Sequence, residues 1–186
     1  VGIFKNSPKA VISKQTKDVR TLIRKEAKKI KMKIFEEGID WQIKQKDFSK
    51  KKFVLGFRDS FFNFQFPSLA GEHQIENAST AISTILSLNN KKITFENINR
   101  GITSAIWPAR MQKLQNGKLA NLLGKKFEIW LDGGHNLEAS HILNKTLEKW
   151  NNKPVILIIG MMVGKDPVTF LRNLVNNISS LFLLPI

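Results

Sequence analysis

The segment Asp132-Gly133-Gly134-His135-Asn136 has the residue types of a ligand-binding turn. Its aspartate can accept hydrogen bonds from ribose hydroxyls or an ammonium group, or help to hold a metal ion. Its histidine can contact phosphate or carboxylate, and its charge changes near neutral pH. The two glycines allow a sharp turn close to a ligand, and Asn136 can cap a following helix whose N-terminus favours anions. A tight strand-to-helix turn with an ordinary cap is the alternative interpretation.

A second candidate is His73-Gln74-Ile75-Glu76-Asn77. His73 and Asn77 are four residues apart, so they share one face of a helix if the helix begins early. That face could offer imidazole and amide groups to a base or sugar. Helix capping alone remains the alternative. A metal site is weaker still, because no third ligand is near.

A third candidate is Arg110, in the run Trp107-Pro108-Ala109-Arg110-Met111-Gln112. An arginine that follows a proline-terminated helix is well placed to clamp a phosphate through two hydrogen bonds. A surface arginine in a linker is the alternative.

The first part of the chain reads as strand, helix, three strands and two helices. The predicted order is a strand at 10–12, a helix capped by Thr16 and closed by Gly38, three antiparallel strands within 41–66, a helix at 75–86, and a helix capped by Thr94. Alternating apolar residues indicate the strands, and apolar residues three or four apart indicate the helices. In the last helix, Ile98, Ile102, Ala105 and Ile106 are expected to face inward, and Trp107-Pro108 to end it.

The second part alternates strand and helix. Predicted are strands at 127–131, 155–159 and 181–184, with helices at 139–150 and 166–175, and the middle strand is expected to be buried. This order is typical of a doubly wound α/β fold with a parallel sheet, in which ligands bind beyond the carboxyl ends of the strands. Asp132 lies at such an end.

Composition limits the function classes. The chain has 186 residues, no cysteine and a net charge of +15, which excludes disulfides, zinc–thiolate sites and a thiol nucleophile. No apolar run reaches the length of a membrane helix and the N-terminus does not read as a signal peptide, so a soluble, cytoplasmic protein is expected. The positive excess is mostly lysine, which favours a solvated face; a nucleic-acid groove or attraction to small anions remains open.

The three candidates, in their order and spacing, resemble the folylpolyglutamate synthase/dihydrofolate synthase family of Mur-type ligases. The matching motifs are LAGEHQIENASTA (69–81), WPARMQ (107–112), LDGGHN (131–136) and IIGMMVGKD (158–166), with the opening VGIFKNSPKAVI. The resemblance implies an α/β fold in which residues 1–107 form the end of a central ATPase domain, 108–124 a linker, and 125–186 the first half of a Rossmann-like C-terminal domain.

The resemblance also implies an ATP-dependent amide ligase of folate biosynthesis. The enzyme would transfer a phosphoryl group to dihydropteroate or a reduced folate, and L-glutamate would attack the acyl phosphate. Asn77 would contact the adenine of ATP, Arg110 its phosphate or ribose side, and Asp132 and His135 the nucleotide and the incoming glutamate, with catalytic roles. The partners implied are small molecules and Mg²⁺, with neither nucleic acid nor membrane, for a cytoplasmic monomer.

Some parts of the family pattern are altered or absent. Ala109 and Gly134 stand where the family has glycine and alanine, Leu137 replaces a proline, and Gly164 replaces an aspartate. The sequence contains no G-x-x-x-x-G-K-[ST] phosphate loop. We therefore expect that loop, the magnesium ligands and a carbamylated lysine upstream of Val1, and further strands beyond Ile186, so that the chain alone would be inactive. The alternatives are another Mur-type ligase, acting on a peptidoglycan precursor, and a basic nucleic-acid-binding module.

Overall fold

The computed structural model describes residue 4, residues 7–150 and residues 153–186. The chain divides into two compact units, unit 1 (Val1–Ile106) and unit 2 (Trp107–Ile186). Each is described by itself.

The described residues of unit 1 form two separate sheets and three α-helices. Its elements are β1 (Lys9–Ile12), α1 (Lys17–Lys29), β2 (Lys33–Glu36), β3 (Trp41–Asp47), β4 (Lys52–Phe57), β5 (Ser60–Gln65), α2 (His73–Leu88) and α3 (Phe95–Thr103). Strands β1 and β2 pair in parallel, whereas β3, β4 and β5 form an antiparallel sheet in that order. The predicted three antiparallel strands and the two following helices are therefore confirmed.

The first predicted helix is too long. Helix α1 ends at Lys29, Lys31 adopts a left-handed backbone conformation (φ 55°), and residues 33–36 form β2 instead. Pairing with β1 and burial of Phe35 override the helical spacing that assigned Ile34 to the helix. Gly38 (φ 84°) lies in the turn before β3 rather than at a helix end.

Helix α3 begins as predicted but ends sooner. Thr94 and Asn97 form a reciprocal capping box, in which each side chain accepts a hydrogen bond from the other residue's backbone N–H. The helix ends at Thr103, several residues before Pro108, and Ile106 is 87% exposed. The prediction that Ile106 faces inward is wrong, because the helix that would have turned it inward has already ended.

The core of unit 1 is aromatic and extensive. Its buried members come from both sheets and both later helices: Phe35, Trp41, Phe53, Leu55, Phe57, Phe64, Ile75, Ile82 and Ile98. The inward faces of β4 and β5 supply stacked rings, and α2 and α3 cover them with isoleucines. Helix α2, which carries the His73–Asn77 motif, is thus fixed by its buried face.

Unit 2 contains β6 (Gln112–Leu114), α4 (Lys118–Leu123), β7 (Ile129–Leu131), α5 (Leu137–Lys149), β8 (Ile156–Ile159), α6 (Pro167–Arg172) and β9 (Ser180–Leu183). The predicted alternation of strands and helices is present, and β8 and β9 pair in parallel. Strand β7, however, pairs antiparallel with β6, a short strand within the segment interpreted as a linker. Among the described residues, the parallel ladder therefore does not extend to β7.

The core of unit 2 is small. Leu147, Phe170 and Leu174 are buried, and partly buried residues of α5, β8 and α6 surround them. The prediction that the middle strand is buried is wrong on one face, since Ile156 and Ile158 are more than half exposed. Only alternate residues of β8 reach this core. None of the described helices has both the length and the apolar character needed to cross a membrane.

Candidate functional site

The carboxylate of Asp132 is held at both oxygens. It lies directly after β7, where Oδ1 accepts a hydrogen bond from the backbone N–H of Gly134 at 2.8 Å. Its Oδ2 accepts from the backbone N–H of Met111 at 2.9 Å. The antiparallel pairing of β6 and β7 brings these distant residues together. Asp132 therefore organises the backbone on both sides of the candidate site.

A second hydrogen bond joins the same two segments. The N–H of Gly133 donates to the carbonyl oxygen of Ala109 at 2.8 Å. The Arg110 segment (residues 109–111) is thus attached at two points to the Asp132 loop (residues 132–136).

The Arg110 segment has an unusual backbone. Ala109 (φ 53°) and Met111 (φ 44°) both adopt the left-handed conformation, which is unfavourable for residues with a Cβ. The family pattern has glycine at Ala109, and a positive φ accounts for that preference. Arg110 is exposed between them and has no ion-pair partner within the described part of the chain. The two hydrogen bonds with the Asp132 loop hold the backbone on either side of Arg110 in place.

Gly134 is sterically required in this chain. A Cβ added there would lie 2.7 Å from Asp132 Oδ1 and 2.9 Å from the Cβ of Ala139. Neither distance is tolerable without movement, so alanine, the residue of the family pattern, does not fit this loop as it stands.

His135 is exposed, and one of its ring nitrogens is bound. Its Nδ1 lies 3.0 Å from the carbonyl oxygen of Gly133. Since a carbonyl oxygen only accepts, Nδ1 carries the proton and donates. The Nε2 atom is then an acceptor in neutral imidazole and a donor once the ring is protonated, when it can bind phosphate or carboxylate.

Asn136 caps α5, as predicted. Its side-chain oxygen accepts a hydrogen bond from the N–H of Ala139 at 2.9 Å. The N-terminus of this 13-residue helix follows directly on His135. A helix N-terminus carries a partial positive charge, so the loop combines it with an imidazole.

Asp166, in the IIGMMVGKD motif, caps α6. Its carboxylate accepts hydrogen bonds from the hydroxyl of Thr169 and from the Thr169 N–H, the latter at 3.0 Å. These two bonds hold the pKa of Asp166 below its usual range, and the bond from the Thr169 hydroxyl has the larger effect.

The buried hydroxyl of Ser140 donates to the carbonyl oxygen of Phe170 at 2.6 Å, which ties α5 to α6.

The candidate site in unit 1 is at the start of α2. Asn77 is exposed, and its Nδ2 donates to Oε1 of Gln74 at 3.2 Å. The Nε2 of Gln74 lies 2.9 Å from Nε2 of His73. The side chains of His73, Gln74 and Asn77 therefore form a continuous hydrogen-bonded chain, which we call the α2 triad.

Backbone hydrogen bonds thus bring the Arg110 segment next to the Asp132 loop, which also carries His135. Asn77 belongs to unit 1. Sequence reasoning assigned no role to Gln74. Its position between His73 and Asn77 was the only indication of one. Sequence reasoning also missed the bond from Met111 to Asp132, because β6 was not predicted. The described residues contain no group of three or more histidine, aspartate and glutamate side chains that could hold a metal ion.

The chain is similar in sequence and fold to folate-related proteins. Residues 114–184 match the family described as Dihydrofolate synthetase, C-terminal domain. Folylpolyglutamate synthase of Lacticaseibacillus casei is 26% identical over 166 residues, which are 83% of this chain and 37% of that protein. The chain therefore spans less than two fifths of the length of that relative.

Solved structures show the same fold. The folylpolyglutamate synthase of Thermotoga maritima matches 100% of this chain and 42% of its own length, with 21% identity and a TM-score of 0.77. The E. coli FolC protein in complex with DHPP and ADP matches 97% of this chain and 39% of its own, with 20% identity and a TM-score of 0.77.

Proposed function

We propose that this chain, a member of the folylpolyglutamate synthase/dihydrofolate synthase family, acts in an ATP-dependent ligase that joins L-glutamate to dihydropteroate or a reduced folate. The reaction would proceed through an acyl phosphate: the substrate carboxylate attacks the γ-phosphorus of ATP and releases ADP. The glutamate amine then attacks the acyl carbon, and phosphate leaves.

The residues of this chain would contribute positioning and charge rather than covalent chemistry. Arg110 would neutralise phosphate oxygens, and its clamped backbone supports this role because it limits the entropy lost on binding. His135, protonated at Nε2, would bind a phosphate or carboxylate oxygen. Asn77 would contact adenine. Asp132 would mainly hold the Arg110 segment, because backbone N–H groups already occupy one lone pair on each of its oxygens.

The described residues of this chain do not fit the magnesium ion that is expected with ATP. The described residues offer no acidic cluster for it. No step is therefore assigned to the metal here.

A single observation carries the proposal: the Arg110 segment and the Asp132 loop, two motifs of the family pattern, are joined by hydrogen bonds at Met111–Asp132 and Ala109–Gly133. Motifs that are distant in sequence but adjacent in structure are typical of one functional site. Neither a basic patch nor a surface linker requires this attachment.

The test is turnover by the protein made from its complete reading frame. ATP and L-glutamate would be supplied with dihydropteroate, with tetrahydrofolate, or with a UDP-muramyl acid, and products identified by mass. We expect glutamate amides of the pterin substrates and none of the muramyl acid. Amide formation only on the muramyl acid would instead support a peptidoglycan ligase, and no ATP-dependent product on any acid would refute the ligase.

A further inference from the structure

Two places in the sequence have an asparagine or aspartate directly before a glycine: Asn116-Gly117 and Asp132-Gly133. In such a pair the backbone nitrogen of the glycine can attack the side-chain carbonyl carbon of the preceding residue, because glycine has a flexible backbone and no side chain to obstruct the approach. The first pair follows β6 and the second follows β7, so both belong to unit 2. The structure gives the two pairs opposite surroundings.

The Asp132-Gly133 pair is held by hydrogen bonds at each reacting group. The N–H of Gly133 donates to the carbonyl oxygen of Ala109 at 2.8 Å. Both carboxylate oxygens of Asp132 accept hydrogen bonds, from the backbone N–H groups of Gly134 and Met111. The attacking nitrogen and the group that it would attack are therefore both engaged, and this pair can react only after the loop opens.

The Asn116-Gly117 pair has none of these restraints. Both residues are exposed, in the connection between β6 and α4. Within the described part of the chain, neither the N–H of Gly117 nor the side-chain amide of Asn116 has a hydrogen-bond partner. Gly117 has a φ of 103°, and no atom beyond its chain neighbours lies within 4 Å of the position that a Cβ would occupy. The glycine nitrogen is therefore free, and the space beside it is open.

Other exposed asparagines lack this combination. The side-chain oxygen of Asn90 accepts from the backbone N–H of Lys92 at 3.0 Å, and that of Asn136 accepts from the N–H of Ala139 at 2.9 Å. Neither residue precedes a glycine, and Asn116 is the only asparagine of the sequence that does. The free glycine nitrogen thus distinguishes Asn116 from the other exposed asparagines.

We propose that Asn116 is a site of spontaneous covalent modification, at which the folded chain converts asparagine into aspartate and isoaspartate. The nitrogen of Gly117 loses its proton and forms a bond to Cγ of Asn116. The bond from Cγ to the side-chain nitrogen then breaks, and this nitrogen takes up a proton and leaves as ammonia. Water opens the resulting succinimide ring at either carbonyl carbon, which gives aspartate from one opening and isoaspartate from the other.

The products differ from the original chain in charge and in backbone length. Each carries a carboxylate where the asparagine had a neutral amide, and isoaspartate adds one carbon to the backbone between β6 and α4. The ladder of β6 and β7 ends at the pairing of Leu114 with Ile129, before Asn116 is reached. The modification therefore lies outside the ladder that supports Asp132. It does not depend on the proposed function.

The test is incubation of the protein made from its complete reading frame in mildly alkaline buffer, with and without urea. In the native protein we expect the peptide that contains Asn116 to gain one mass unit, and to become a substrate for an isoaspartate-specific methyltransferase. The rate should rise with pH, because the attacking nitrogen must lose its proton, and it should be similar in urea. Isoaspartate at Asp132 should form at least about tenfold faster in urea than in the native protein, because the loop must first open.

Asn116→Gln is the matched variant, since glutamine would have to close a larger ring and its peptide should stay unmodified. Asn90 is the control within the same chain and should also stay unmodified. If Asn116 reacts only in urea, the folded loop protects it and the proposal is refuted. Equal rates at Asn90 and Asn116 would refute the role of the free glycine nitrogen. Equal rates at Asp132 in the two conditions would contradict protection by the bond from Gly133 to Ala109.

Discussion

The two units hold their candidate residues by different means. In unit 1 the α2 triad lies on a 16-residue helix whose opposite face is packed into an aromatic core. In unit 2 the Arg110 segment and the Asp132 loop are held by hydrogen bonds, beside a core with three buried residues. Asn77 can therefore be changed without loosening its support, whereas Asp132 is itself part of the support.

The largest expected effect comes from the aromatic core of unit 1. Phe64 is 1% exposed. Its ring centroid lies 5.0 Å from that of Phe95 and 5.8 Å from that of Phe53. Phe64→Ala should lower the free energy of unfolding of unit 1 by about 3–5 kcal/mol, because it removes buried surface and leaves a cavity. Hydrogen exchange of peptides from β4 and α2 in urea would measure it.

Phe61→Ala is the control for that substitution. Phe61 belongs to the same strand but is 64% exposed, so its removal should leave exchange nearly unchanged. Equal effects of the two substitutions would contradict a core centred on Phe64.

The next effect tests the support in unit 2. Asp132→Ala leaves the backbone N–H groups of Met111 and Gly134 without their acceptor, at a cost of about 1–2 kcal/mol. We expect faster exchange at both amides and weaker ADP binding. Asn77→Ala should weaken binding while the amides of α2 keep their protection. If Asp132→Ala leaves both loop amides protected, the carboxylate is not the clamp.

A smaller effect, of opposite sign, is expected at Ala109. Its φ of 53° is strained for alanine but not for glycine. Ala109→Gly should raise the free energy of unfolding by up to about 1 kcal/mol, since relief of strain outweighs the added freedom of the unfolded chain. Thermal unfolding would measure this change. Gly101→Ala offers a comparison in unit 1, because that helical position has open space for a Cβ. A destabilised Ala109→Gly variant would show that the segment is not strained.

The smallest effect concerns pH. The pKa of Asp166 is lowered by Thr169, so its folded-state pKa lies below the ordinary value of 3.8. Its contribution to stability is present above that ordinary value and is lost as the pH falls through the folded-state pKa. The midpoint temperature of thermal unfolding can be followed from pH 5 to pH 2, about the range set by the reference pKa of aspartate. As the pH falls, this midpoint should decrease less steeply in Asp166→Asn than in the wild type. Parallel curves would contradict the cap.

Local patterns predicted most of unit 1. The alternation of Phe53, Leu55 and Phe57 specifies a strand with one buried face, and Thr94 with Asn97 specifies a helix start. The same reasoning failed at Ile34, where apolar spacing fits a helix but pairing with β1 decides. Only a contact distant in sequence distinguishes the two.

The sequence identifies the candidate residues of unit 2 but not the hydrogen bonds that hold them in place. Asp132 and Arg110 were singled out by type and position. That the first holds the backbone of the second depends on the pairing of Leu131 with Gln112, in a three-residue strand too short to have a period. The only indication of the left-handed φ of Ala109 in the sequence is that the family pattern has glycine at this position.

The assignment of Arg110 to the nucleotide is tested by the affinity of the full-length protein for ADP in the Arg110→Ala variant. The clamped arginine is expected to bind phosphate, so the Kd should rise about tenfold or more, in line with a hydrogen bond to a charged group. Arg172→Ala, which removes an exposed arginine at the end of α6, should leave Kd unchanged. An unchanged Kd in Arg110→Ala would contradict the assignment of this segment to the nucleotide.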